Sequence, residues 1–148
     1  MQYIVFGKPL INSKQKKEVL HTLNSGWIGS GPKVQILEEK FKKYKKIKYS
    51  SAVNSCTAAL HLSLNALNLN KSDEVIVPAM TFCSTVNAII HSGAKPVLAD
   101  VDYKTGNITA ESIAKKITKR TKAIVIVHLA GNPCEMDGIL KIVKMNNL

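Results

Sequence analysis

The sequence has little of what marks several protein classes. It has three cysteines in 148 residues, with no CxxC pair and no paired Cys/His pattern, which argues against a disulfide framework and a zinc site. Its 8 glycines and 5 prolines are too few for a collagen-like or low-complexity chain. No apolar run approaches the roughly 20 residues of a membrane span, and the N-terminus has no charged region followed by an apolar one. We therefore expect a cytoplasmic protein with no membrane span, no bound metal and no export signal.

Positive charge exceeds negative charge, with 21 Lys+Arg against 10 Asp+Glu and a formal net charge of +11. This balance raises the alternative of a nucleic-acid-binding domain, but Arg120 is the one arginine, and arginine is favoured for bidentate base and phosphate contacts. The apolar residues of the lysine-rich segment recur at helical spacing and are Val34, Leu37, Phe41 and Tyr44. The lysines are therefore predicted to cover a solvated helix face, with Glu38 and Glu39 pairing at i+4 with Lys42 and Lys43. We expect no nucleic-acid partner.

Residues 1–50 are predicted to form a helical N-terminal segment. Asn12 or Ser13 can cap a first helix, and Gly26 suits the positive φ that ends one. Its apolar positions, predicted to face inward, are Val19, Leu20 and Leu23. A loop from Gly26 to Pro32 then leads to the lysine-rich helix.

Residues 51–148 are predicted to be βα repeats. The runs of strand character cover residues 51–53, 74–77, 96–99 and 123–127. The helical segments between and after them cover residues 57–67, 82–91, 110–117 and 137–145. Strands that alternate with helices form βαβ units, so the fold class is α/β, with a mostly parallel sheet and helices on both faces in three layers.

The familiar nucleotide-binding motifs are absent, and the informative residues follow the predicted strands. The chain has no GxGxxG, and Gly26 to Gly31 continues Pro-Lys where a P-loop requires Lys-Ser/Thr. The segment 54–60 turns from a strand directly into a helix, whose free N–H groups suit a phosphate, although Ser55 or Thr57 as an ordinary N-cap is the alternative.

Two further residues stand at predicted strand ends. Phe82 could stack on a planar ligand or pack under its own helix. His128 provides a third ligand-capable group at the carboxyl edge of the predicted sheet.

Five segments together resemble the opening part of the DegT/DnrJ/EryC1/StrS family of pyridoxal-phosphate (PLP) sugar aminotransferases. They are residues 25–32, 54–61, 73–78 with 81–82, 93–97 with 100–102, and 121–124 with 127–131. The resemblance covers essentially the whole chain and implies part of the large domain of PLP-dependent transferase fold type I. The sequences of residues 80–85 and 130–137 are most similar to those of the branch that acts on a UDP-linked 4-keto-pentose in aminoarabinose synthesis.

The resemblance implies a role for individual residues. Cys56, Thr57 and Ala58 match the turn that holds the cofactor phosphate, although the family more often has Ser-Gly-Thr there. Phe82 matches the aromatic residue that stacks on the pyridine ring. Trp27 matches a loop near the substrate and the subunit interface, and His128 matches a strand-end histidine near the site.

The family's pyridinium-binding aspartate and its Schiff-base lysine match no motif in these 148 residues, so they are expected downstream, and the chain alone is expected to be inactive. The resemblance implies amino transfer from an amino acid, usually glutamate, to a keto group of a nucleotide-linked sugar in cell-surface polysaccharide or lipid A sugar biosynthesis, by a homodimer. The alternative is a noncatalytic truncated protein that keeps a phosphate- or partner-binding surface.

Overall fold

The structure, a computed structural model, describes residues 7–148. The chain divides after Ala52 into two compact units, and each is described by itself. The first unit contains helix α1 (Ser13–Asn24) and helix α2 (Pro32–Lys45). Asn12 caps α1 through a reciprocal capping box, and Gly26 has a φ of +70°, so both predicted helix boundaries are confirmed.

The apolar positions of α1 are exposed, so the prediction that Val19, Leu20 and Leu23 face inward is wrong within this unit. Neither α1 nor α2 contains a buried residue. The physical reason is that a stable core needs two packed layers, and one pair of helices provides too little surface to enclose both apolar stripes.

The predicted i+4 ion pairs of α2 are also wrong. Lys42 pairs with Glu39 at i+3, with Nζ and Oε1 2.6 Å apart, whereas Glu38 Oε1 accepts a hydrogen bond from the backbone N–H of Ala52 at 2.8 Å. The predicted strand at residues 51–53 is also absent. The Ala52 N–H there is bound to the Glu38 side chain and to no neighbouring strand.

The second unit is an α/β structure. Its elements are α3 (Cys56–Asn65), β1 (Glu74–Pro78), α4 (Cys83–His91), β2 (Lys95–Ala99), α5 (Ala110–Ala114), β3 (Thr121–Ile124), a single 3-10 turn (Leu129–Gly131) and α6 (Met136–Met145). The strands form a parallel sheet in the order β2-β1-β3, with Val75 opposite Pro96 and Ala123. This arrangement confirms the predicted fold class.

The central strand β1 is buried along its whole length, which follows from its apolar sequence and its two neighbouring strands. Val75 and Val77 pack with Leu64 of α3 and Ile89 of α4 on one face of the sheet. On the other face the packed residues are Ile76, Ile113 of α5 and Ile139 of α6. Helices therefore cover both faces, and the loops at the ends of the strands are left free to carry a site.

Among residues 7–148, no helix is long and apolar enough to cross a membrane.

Candidate functional site

The carboxyl ends of β1 and β3 meet at one edge of the parallel sheet. Phe82 follows β1 and forms the N-cap of α4, and His128 follows β3 and precedes the 3-10 turn. Since ligands of open α/β sheets bind outside the carboxyl ends of the strands, this edge is the candidate site of the second unit.

The N-terminus of α3 lies at the same edge. Helix α4 runs back from the end of β1 to the start of β2, so its C-terminal end, near Gly93, lies at the amino edge of the sheet. The carbonyl oxygen of Leu69, just after α3, lies 3.7 Å from where a Gly93 Cβ would stand. The end of α3 is therefore beside the end of α4, and the two packed helices both begin at the carboxyl edge.

The first turn of α3 offers hydrogen-bond donors. Ser55 caps the helix, because its hydroxyl accepts from the backbone N–H of Ala58 at 3.1 Å and its carbonyl accepts from Ala59. The N–H groups of Cys56 and Thr57 donate to no acceptor within the part of the chain that the structure describes. Two free donors at the positive end of a helix dipole suit an anionic oxygen, and the ordinary N-cap is present beside them.

Phe82 is 75% exposed. This exposure contradicts the alternative that its ring packs under its own helix. Nearby, the hydroxyls of Thr81 and the buried Thr85 are hydrogen-bonded at 2.8 Å, which ties the loop to the first turn of α4. The Phe82 ring is therefore an accessible aromatic surface on a fixed backbone.

His128 is exposed, but one of its ring nitrogens is occupied. Nδ1 accepts a hydrogen bond from the backbone N–H of Cys134 at 3.0 Å, so the proton of the neutral ring is on Nε2. The Cys134 thiol donates to the carbonyl oxygen of Val127 at 3.2 Å, and burial raises the pKa of that thiol. Nε2 of His128 remains the ring atom available to a ligand.

Trp27 belongs to the first unit and is described apart from the sheet edge. It is 59% exposed, and its Nε1 donates to the carbonyl oxygen of Ser30 at 2.8 Å. The ring covers Gly31 so closely that a Cβ there would stand 1.9 Å from Nε1, so a larger residue at this position would have to displace the ring. The ring, with His21, Thr22 and Pro32, lines a small pocket between α1 and α2.

The family model of the DegT/DnrJ/EryC1/StrS aminotransferases matches residues 9–148. The chain belongs to this family. It is 46% identical over 146 residues to the spore coat polysaccharide biosynthesis protein SpsC of Bacillus subtilis, and 42% identical over 149 residues to the GDP-perosamine synthase of Escherichia coli O157:H7. These alignments cover 99% and 100% of this chain but only 38% and 41% of the two relatives.

Solved structures of aminotransferases have, over part of their length, the same fold as this chain. The structure of Spr1654 from Streptococcus pneumoniae superposes with a TM-score of 0.88 and 39% identity over 96% of this chain and 36% of its own length, and it has been solved in a PLP-form and a PMP-form. An aminotransferase from Psychrobacter cryohalolentis has a TM-score of 0.87 and 40% identity over 95% of this chain and 36% of that protein. The chain thus spans well under half of each relative.

In this member of the DegT/DnrJ/EryC1/StrS family, the structure brings three of the predicted site elements to one edge: the first turn of α3, Phe82 and His128. It also contains a residue that the sequence analysis missed. Asn107 is buried in the turn after β2, and its side chain binds the loop that carries His128. The Thr-Gly-Asn sequence at 105–107 signals a turn, but its partner loop is too distant in sequence to be identified from the pattern.

No group of three His, Cys, Asp or Glu side chains that could hold a metal ion occurs in the range 7–148.

Proposed function

We propose that this chain is the cofactor-phosphate-binding part of a PLP-dependent aminotransferase that transfers an amino group to a keto group of a nucleotide-linked sugar. The observation that carries the proposal is the juxtaposition of free N–H donors at the start of α3 with the exposed Phe82 at one sheet edge, in a chain of this family. Names such as GDP-perosamine synthase among the relatives support a sugar substrate.

The residues present fit PLP on chemical grounds. The cofactor is a phosphate ester of a planar aromatic ring, and when bound it supplies an electron sink for amino transfer. Cys56, Thr57 and Ala58 would receive the phosphate, the first two through backbone N–H groups that are unpartnered within residues 7–148. Phe82 would stack on the ring, because its own ring is exposed.

His128 and Trp27 have subsidiary roles in this proposal. His128 would donate a hydrogen bond from Nε2 to an oxygen of the cofactor or substrate, since Nδ1 is already bound to Cys134. Trp27 would contribute to substrate binding or to the subunit interface. For the whole protein we propose glutamate as the amino donor, a homodimer, a cytoplasmic location and a role in cell-surface polysaccharide or lipid A sugar synthesis. The UDP-linked 4-keto-pentose stays a prediction.

Proline substitutions test the phosphate contact sharply. Cys56 is the first residue of α3 and follows an extended Ser55, so Cys56→Pro removes one N–H and is compatible with the helix. We expect equilibrium dialysis of the 148-residue protein to show PLP binding in the millimolar range, as for a few kcal/mol of contacts. The variant should bind about tenfold more weakly, as expected for a lost hydrogen bond to a charged group.

Cys83→Pro is the matched control. Cys83 is the first residue of α4 and follows an extended Phe82, so the same substitution removes an N–H that we do not assign to the phosphate. We expect its PLP affinity to equal that of the wild type. Equal affinities of the wild type and Cys56→Pro would overturn the phosphate assignment.

The Phe82→Ala variant tests the ring contact. We expect several-fold weaker PLP binding with unchanged competition by inorganic phosphate, because the stacking surface is lost and the donors of α3 remain. Phe41→Ala is the control, because it makes the same substitution in helix α2, at a residue to which we assign no cofactor contact.

The coding sequence distinguishes the enzyme from the noncatalytic alternative. An aspartate motif followed by a lysine motif, in frame beyond codon 148, would support the aminotransferase. An in-frame stop at that point would support the alternative.

A further inference from the structure

The turn after β2 is held by its own hydrogen bonds. Asp102 Oδ1 accepts from the N–H of Lys104 at 3.1 Å and from the N–H and hydroxyl of Thr105, each at 2.9 Å. The Thr105 hydroxyl, together with the backbone donors, lowers the pKa of the Asp102 carboxyl. The Asp102 N–H donates to the Asn107 carbonyl oxygen at 2.9 Å and closes the turn. Asn107 therefore projects from a rigid platform.

Both polar atoms of the Asn107 side-chain amide are hydrogen-bonded to the loop after β3. Only 4% of the residue is exposed. Its Oδ1 accepts from the N–H of Leu129 at 3.0 Å, and its Nδ2 donates to the carbonyl oxygen of Asn132 at 2.9 Å. The two partners are a backbone donor and a backbone acceptor, so only this orientation of the amide satisfies both.

The loop that Asn107 holds has a conformation that needs support. Ala130 has a φ of +51°, an unfavourable value for a residue with a side chain. The His128 carbonyl oxygen accepts from the N–H of Gly131 at 3.1 Å, and its ring Nδ1 accepts from the N–H of Cys134. Two backbone N–H groups of this loop are thus held by side chains. Asn107 binds that of Leu129, and the His128 ring binds that of Cys134.

We infer that Asn107 is a positioning residue for His128: it clamps the 129–132 loop so that Nδ1 stays bound to the Cys134 N–H and Nε2 is presented to the ligand. The inference rests on the proposed function, because that proposal gives Nε2 its ligand. It deepens the proposal by assigning a role to a residue that touches neither cofactor nor substrate.

Amide hydrogen exchange on the 148-residue protein without cofactor tests the clamp. In Asn107→Ala, direct loss of a hydrogen bond speeds exchange at Leu129. The informative amide is Cys134, which Asn107 does not touch, and we expect it to exchange about tenfold faster once the loop is released. The amides of Val75 and Val77 in β1 should keep their wild-type rates, which separates positioning from general destabilisation.

Asn132→Ala is the matched control, because Asn107 binds the carbonyl oxygen of Asn132 and no side-chain atom. We expect wild-type exchange at Cys134 in this variant. Asn107→Asp keeps the acceptor for Leu129 and loses the donor to Asn132, so it should give intermediate exchange and a partial rescue. This variant keeps the test decisive if the alanine variant unfolds.

Imidazole ¹⁵N spectra provide the readout at His128 itself. We expect the Nδ1 resonance of neutral His128 to shift in Asn107→Ala and to stay in place in Asn132→Ala, with His128→Asn used for assignment. Wild-type Cys134 exchange and an unshifted Nδ1 resonance in both Asn107 variants would overturn the inference. That outcome would leave the PLP-binding tests of Cys56 and Phe82 unaffected, so the two failures are distinguishable.

Discussion

Arg120 donates two hydrogen bonds to the Oε1 atom of Glu74, from Nε at 3.0 Å and from Nη2 at 2.7 Å. The other carboxylate oxygen accepts from the hydroxyl of Thr118 at 2.6 Å. Glu74 is buried at the start of β1, whereas most of the Arg120 side chain is exposed. The Thr118 hydroxyl and the Arg120 guanidinium lower the pKa of the Glu74 carboxyl, so its charged form ties β1 to the segment before β3.

This relationship predicts the pH dependence of stability. A lowered folded-state pKa stabilises the chain above the unfolded value of about 4.3, and the contribution is lost as the pH falls through the folded value. We expect Glu74→Gln to lower the urea midpoint at pH 7 and the difference from wild type to shrink below about pH 4. The exposed Glu111, paired with Lys115, provides a control, and Glu111→Gln should change the midpoint much less. A pH-independent difference for Glu74→Gln would contradict the prediction.

The central strand should be sensitive to truncation. Ile76 is 0% exposed and packs against the layer formed by α5 and α6. We expect Ile76→Ala to lower the free energy of unfolding by about 2 to 5 kcal/mol, through lost burial and the cavity left behind. Ile90, 54% exposed on α4, offers the same substitution at the surface, where an effect within about 0.5 kcal/mol is expected. Urea denaturation measures both, and equal losses would refute the packing.

The three cysteines should differ in reactivity. Cys56 and Cys83 are exposed, whereas Cys134 is buried, its thiol is bound to the Val127 carbonyl, and burial raises its pKa. Because the thiolate is the reactive form, we expect iodoacetamide to label two cysteines of the native protein and the third only after unfolding. Mass spectrometry of peptides identifies the sites. Rapid native labelling of Cys134 would show that its loop is open.

The single tryptophan reports on its own loop. A Cβ at Gly31 would overlap the Trp27 ring, whereas one at Gly29 would meet no atom within 4 Å. We expect Gly31→Ala to displace the ring, break its bond to Ser30 and shift the fluorescence emission maximum to longer wavelength. Gly29→Ala, the matched control, should leave the spectrum unchanged. A spectral shift in both variants, or in neither, would argue against the close packing of Trp27 on Gly31.

The sheet was predictable because its strands have strong local signals. The continuous apolar run of β1 and the helices on either side of it specify a buried parallel strand, and Asn68 and Gly93, residue types common just after helix ends, both have positive φ. The start of α5 at Thr109 follows from capping chemistry in the same way.

The predictions that failed concern residues whose structure depends on contacts with residues distant in the sequence. Nothing in Ser51 to Val53 shows that Glu38 will bind the Ala52 N–H. The helical spacing of Val19 and Leu23 correctly predicts an apolar helix face, but it does not determine whether another element packs on that face. Asn107 and the loop around His128 are joined by contacts across more than twenty residues, and such contacts depend on the folded sheet.

The strand order β2-β1-β3 also has a consequence for synthesis of the chain. β1 is the second element of its unit, yet its neighbour β3 is the last of these three strands to be made, with β2, two helices and their turns between them. At ribosomal rates of about 5 to 20 residues per second, β3 is synthesised roughly 2 to 9 s after β1. During that interval the most apolar strand of the unit has an unpaired edge, so nascent chains should depend on chaperones that bind extended apolar segments.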